Sequence, residues 1–208
     1  QVVNGVGATE AGLAILPTTL GIAVASTIVG RIVTRTGHYR FWPAVGSALF
    51  GAGFLLLGAL GPRPSTVAVW TGTLLLGLGM GAGSPVFMIA MQNAVPQRDH
   101  GVVSAMAMFF RNTGQAFGTA IAGAVFAGRL DHHLDRLVPT AALDGLGAEE
   151  LRGDVDAVRA LAPDIEALVS DAFRLAATDV FTIAGWVGVA SVLVALTIPQ
   201  LELRRTVE

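Results

Sequence analysis

Residues 67–93 read VAVWTGTLLLGLGMGAGSPVFMIAMQN, a stretch without one Asp, Glu, Lys or Arg. Charge-free runs of about 20 residues or more are long enough to cross the hydrocarbon core of a bilayer as a helix. Gly and Pro inside the run would break a soluble helix, whereas neighbouring helices in a membrane re-satisfy the backbone. The rest of the chain has the same character. Hydrophobic residues make up 53% and charged residues 13%, against about 25% charged in an ordinary soluble domain. Mean hydropathy is +0.65. The polar surface that a soluble fold needs is missing over most of the length, so the fold class is an all-α membrane protein.

Working outward from residues 67–93, four further apolar segments suit membrane helices: 11–30, 41–60, 102–127 and 180–199. About five spans result. The connections differ in charge. Arg31, Arg35, Arg40 and Arg98 lie in the first and third, Arg204 and Arg205 follow the last span, and Arg63 alone lies in the second. The excess of Arg predicts a cytoplasmic first loop, third loop and C-terminus. The location expected is the cell (plasma or inner) membrane, crossed several times. All basic residues are Arg, and cysteine is absent, which excludes disulfides, thiolate metal sites and cysteine nucleophiles. No basic patch interleaved with aromatics suggests nucleic acid. The chain opens at Gln1 with no basic n-region, which predicts no signal peptide and a start in the middle of a longer protein.

The expected organisation is therefore residues 1–128 with the first four spans, an acidic extracytoplasmic loop over 129–179, a last span over 180–199 and a cytoplasmic tail over 200–208. In the loop, Val155, Val158, Leu161, Ile165, Leu168, Val169, Ala172 and Phe173 recur at helical spacing. Short amphipathic helices on the outer surface are predicted there. A variable surface loop without activity is the plainer alternative.

Few residues carry chemistry. His132 and His133 with Asp131 and Asp135 lack metal-ligand spacing, since helix neighbours do not face each other. No metal, cofactor or hydrolase motif is expected, and no enzyme. Gly77, Gly79, Gly81 and Gly83 miss the dinucleotide spacing, because Ala82 and Ser84 fall where the last glycine should be. Small residues four apart instead let membrane helices approach closely. Gly114 and Gly118 share that spacing and are packing candidates too. Arg111, Gln115 and Thr119 are also four apart and form a polar stripe, with Met106, Phe110, Phe117 and Ile121 on roughly the opposite face. One reading has Arg111 snorkelling to the cytoplasmic interface. The other has the stripe lining an aqueous transport path, because intramembrane charges face protein interiors or water.

Residues 30–40, GRIVTRTGHYR, resemble the loop pattern Gly-x-x-x-Asp-Arg-x-Gly-x-x-Arg of the major facilitator superfamily. Gly30, Arg35, Gly37 and Arg40 match, and Thr34 replaces the Asp, so an Asp-based charge gate is not implied. Residues 11–17, AGLAILP, are similar to the opening of a span in that family's fourteen-span drug:proton antiporters. Pro96, Gly101 and Ser104, and Arg111-Asn112-Thr113-Gly114 with Gly118, resemble further stretches of that branch. The resemblance covers about residues 1–127. It implies five spans from the C-terminal half of such a transporter, a missing N-terminal part, and export of small amphipathic, often cationic compounds, antibiotics among them, in exchange for protons. Its implied partners are the lipid bilayer, that missing part, substrate and protons. No acid lies inside the first four spans, and Asp179 lies at the edge of the last. A different class stays open beside it: a non-transporting membrane scaffold or assembly subunit that binds through the acidic loop.

Overall fold

The computed structural model describes residues 12–61, 64–138 and 163–200. Among them are five α-helices: α1 (Leu16–Thr36), α2 (Trp42–Gly58), α3 (Thr66–Asn93), α4 (His100–Leu137) and α5 (Pro163–Leu196). A short 3-10 helix, Gln97–Asp99, joins α3 to α4. No strand occurs among the described residues. The chain is an all-α membrane protein.

Local chemistry sets the helix ends. Pro17 sits in the first turn of α1, where its missing N–H is not needed. Gly37 ends the helix with φ 73° and donates its N–H to the Val33 carbonyl, a left-handed cap that favours glycine. Ser65 caps α3 by accepting from the Ala68 N–H. Pro85 lies within α3 without ending it.

Among the described residues, three helices are long and apolar enough to cross a membrane: Leu16–Thr36, Thr66–Asn93 and Ile165–Leu196. Trp42–Gly58 is apolar but shorter. Although α4 is the longest helix, it does not reach that apolarity, because Arg111, Asn112 and Gln115 interrupt it.

The helices run further than the apolar segments alone suggest. α1 continues through Arg31 and Arg35 to Thr36. α4 continues past residue 127 to Leu137, and α5 begins at Pro163 and runs unbroken into the last apolar segment. The reason is a second core. Leu130, Leu134 and Val138 pack on Val169, Ala172, Phe173 and Ala176, so the two ends form an antiparallel hairpin. Val155, Val158 and Leu161 lie outside the described residues.

Glycines set the remaining packing. A Cβ at Gly77 would strike the Thr18 carbonyl, and one at Gly81 would lie 2.5 Å from the Ile22 carbonyl oxygen. α1 and α3 are thus parallel and in backbone contact. Gly46 meets Gly79 and Gly83, and Gly53 meets Gly72, in an antiparallel α2–α3 pair. Gly51 meets Gly188, and Gly58 meets Thr182, which sets α5 antiparallel to α2. Gly83 itself faces only the Phe87 ring at 3.9 Å; it serves as the surface on which Gly46 lands. Gly114 and Gly118 have nothing within 4 Å among the described residues.

Candidate substrate path on a polar helix

Two anchors fix α4. At its start, Gln92 Nε2 donates to Ser104 Oγ at 3.1 Å, and Ser104 Oγ lies 3.9 Å from Met88 Sδ. At its far end, Asp179 Oδ2 of α5 accepts from His133 Nε2 at 3.1 Å and lies 3.5 Å from Arg129 Nε. Below that ion cluster sits the Leu130–Phe173 core. Between the anchors α4 stands away from α3, and its polar stripe is uncovered. Arg111, Gln115 and Thr119 are all exposed. Thr119 Oγ1 donates to the Gln115 carbonyl at 2.8 Å, which satisfies the hydroxyl within its own helix.

The gap between α3 and α4 holds a cavity of ≈ 290 Å³ lined by Ser84, Phe87, Met88, Met91, Ala107, Met108 and Arg111. Further along the same side α4 contributes Gly118, Ala122 and Val125, with Ile121 at the margin, to an apolar cavity of ≈ 380 Å³, shared with Phe50 and Phe54 of α2 and a face of α5. Met106, Phe110, Phe117 and Ile121 are exposed as well. α4 therefore carries an exposed polar stripe with a cation and, roughly opposite, exposed large apolar side chains.

The loop after α1 is built from both ends of the chain. Gly37 and Arg40 are engaged by Gln200, whose Nε2 donates to the Gly37 carbonyl at 2.8 Å and whose Oε1 accepts from the Arg40 N–H at 3.1 Å. Tyr39 is 1% exposed and donates from its hydroxyl to the Pro199 carbonyl at 3.4 Å. Thr34 Oγ1 donates to the Gly30 carbonyl at 2.9 Å, so the residue that replaces Asp turns back on its own helix. Arg31, Arg35 and Arg40 are exposed, and the Arg40 guanidinium lies 6.0 Å from the Phe41 ring centre. Sequence reasoning missed Gln200 and Tyr39, whose partners are 160 or more positions away and leave no local signal.

Among the described residues no group of three or more His, Cys, Asp or Glu could hold a metal. His132 stacks edge-on to His133 with ring centres 5.5 Å apart, while His133 turns to Asp179.

Residues 1–130 match the family model of the Major Facilitator Superfamily. An uncharacterized MFS-type transporter of Mycobacterium tuberculosis is 37% identical over 148 residues, covering 68% of this chain and 20% of that protein. The multidrug transporter protein MdtP of Bacillus subtilis is 33% identical over 163 residues, 75% of this chain and 30% of the relative. The MFS-type efflux pump elcC of Phaeosphaeria nodorum is 30% identical over 211 residues, 100% of this chain and 36% of the relative. The chain thus spans about a fifth to just over a third of the curated relatives it matches.

Proposed function

The chain belongs to the major facilitator superfamily, and we propose that it forms part of a secondary active multidrug efflux transporter that exchanges amphipathic compounds for protons. Membership places it among multi-pass membrane transporters, not enzymes. The names of two relatives, a multidrug transporter and an efflux pump, support export as the direction. The stretches at residues 11–17, 96–104 and 111–118 support the fourteen-span drug:proton branch. In this reading the first and third loops and the C-terminus are cytoplasmic, and residues 129–179 face outward. The other half of the substrate cavity and the main proton-carrying carboxylates lie outside this chain, since membrane transporters of this kind bind substrate between repeats.

One observation carries the proposal. α4 is membrane-length but too polar for lipid on all sides, with Arg111, Gln115 and Thr119 aligned along one face. An Arg near the middle of a span costs about 2.5–3.5 kcal/mol on insertion scales. Snorkelling alone would leave the Gln115 amide unexplained, because it lies deeper along the same face. A water-filled path accounts for all three.

The test is cysteine accessibility in a cysteine-free full-length transporter. Cysteines at Gln115 and Thr119 react with a small polar thiol reagent, and added substrate slows them. Those at Phe117 and Ile121 react at least about tenfold more slowly, as expected for groups held away from water. Equal reactivity on both faces, or undiminished export in Arg111→Ala, sinks the path.

A further inference from the structure

The cavity between α3 and α4 has an unusual wall composition. Met88, Met91, Met108 and Phe87 make it apolar and adaptable, and Arg111 is its one ionised group. Thioether side chains are flexible and polarizable, which suits surfaces that accept many shapes. The volume of ≈ 290 Å³ lies near the lower bound for small-molecule sites, enough for one end of a drug-sized molecule. Gln92, Ser104 and Met88 touch one another at its Asn93 end.

The charge in this cavity is not neutralised by the described residues. Arg111 has no hydrogen-bond or ion-pair partner among them. α1, α2 and α3 contain no Asp or Glu. Just before α4, Asp99 is twelve residues away, about 18 Å at the helical rise, and pairs with Arg98 at 3.7 Å. Asp131 is about 30 Å away in the other direction. Asp179 of α5 is at the level of His133 and Arg129, which it engages. A guanidinium set in an apolar wall offers planar donors that fit carboxylate or sulfonate oxygens in pairs.

We infer that the α3–α4 crevice binds the anionic end of amphipathic substrates, with Arg111 pairing their carboxylate or sulfonate and the Met88–Met91–Met108 wall holding the adjoining apolar body. This inference rests on the efflux reading and narrows its substrate class: the chain's own contribution selects anionic amphiphiles and disfavours lipophilic cations.

The experiment uses the full-length transporter in nanodiscs of zwitterionic phosphatidylcholine, with two fluorescent probes that share an aromatic body. One is 1-anilinonaphthalene-8-sulfonate; the other is the uncharged N-phenyl-1-naphthylamine. The saturable component of the sulfonate binds at least about tenfold tighter than the uncharged probe, the worth of one charge-assisted hydrogen bond. Arg111→Gln removes that advantage, and a thermal unfolding midpoint equal to that of the wild type shows that the variant is folded. Arg111→Lys keeps part of the advantage. Met88→Ala weakens both probes. The inference is overturned if wild type binds both probes equally. It is also overturned if Arg111→Gln keeps the sulfonate preference, or if tetraphenylphosphonium displaces the sulfonate as well as an anion does. Displacement by phosphatidylglycerol added to the nanodiscs makes lipid the occupant and overturns it too. Transport is read separately in vesicles with an imposed proton gradient. Export of neither probe, with the binding preference intact, defeats the efflux reading and spares the site. Export of both, with no dependence on Arg111, defeats the site and spares the efflux reading.

Discussion

At Gly81 an added Cβ would sit 2.5 Å from the Ile22 carbonyl oxygen and 2.9 Å from both the Ile22 Cα and the Ala25 methyl. Backbone cannot swing aside as a side-chain tip can, so α1 and α3 must separate to admit a larger residue. Gly81→Leu should lower the stability of the full transporter by about 1–3 kcal/mol, the usual cost of overpacking. Leu76→Ile conserves volume and should cost less than about 1.5 kcal/mol. Thermal unfolding in detergent compares the two, and equal midpoints would remove the close-approach role of Gly81. Glycines four apart in an apolar run announce such contacts in the sequence itself, and Gly77, Gly79 and Gly81 all lie against neighbouring backbone. Gly114 and Gly118 have the same spacing and no neighbour among the described residues. Spacing identifies a surface that can be approached closely; it carries no information about what approaches.

At the scale of the helix, the hairpin of α4 and α5 shows which force governs. Two features join the helices beyond their apolar segments: the Arg129–Asp179–His133 cluster and the core around Leu130, Leu134, Val169 and Phe173. Arg129 and Asp179 are 51% and 34% exposed, and ion pairs of that kind contribute about 0–1 kcal/mol. Emptying a buried Leu site costs about 2–5 kcal/mol, and Leu134 is 2% exposed. Leu134→Ala should therefore loosen the hairpin far more than Asp179→Asn. Amide hydrogen exchange over residues 165–176 reads this directly: a large loss of protection in the first variant and a small one in the second. The reverse order would make the ion cluster the principal fastening. The helical continuity was partly legible, since Leu130, Leu134 and Val138 are four apart and Val169, Ala172, Phe173 and Ala176 follow helical spacing. Asp131, Asp135 and Glu166 disguised it, because acids near a span end suggest a solvated loop. On these long helices Asp135 is exposed, while Asp131 and Glu166 are half-buried at the flank of the hairpin core.

Across the whole molecule, the contacts fix the relative directions of the helices. Parallel α1 and α3, and α5 antiparallel to α2, bring the ends of α1, α3 and α5 to one edge of the bundle. Gln200 and Tyr39 tie the end of α5 to the Gly37–Arg40 loop at that edge. Arg31, Arg35, Arg40 and Arg98 therefore gather on one rim, whereas the Ser65 cap of α3 and the Leu134 hairpin lie at the other. Arg-rich short loops stay on the cytoplasmic side during insertion, so the rim of Gly37 should be cytoplasmic. The chain's own sequence contains no cysteine, so within it a single introduced cysteine reports without background. In intact cells expressing a cysteine-free full-length transporter, Ser65→Cys and Asp135→Cys should react with a membrane-impermeant thiol reagent. Thr36→Cys should react only after the membrane is permeabilised. Labelling at Thr36 in sealed cells, with Ser65 and Asp135 silent, would invert the molecule. The Arg111 crevice, which lies toward the Gln92–Ser104 end of α4, would then open outward and could not take up compounds from the cell interior. The direction of transport thus hangs on the same measurement as the topology.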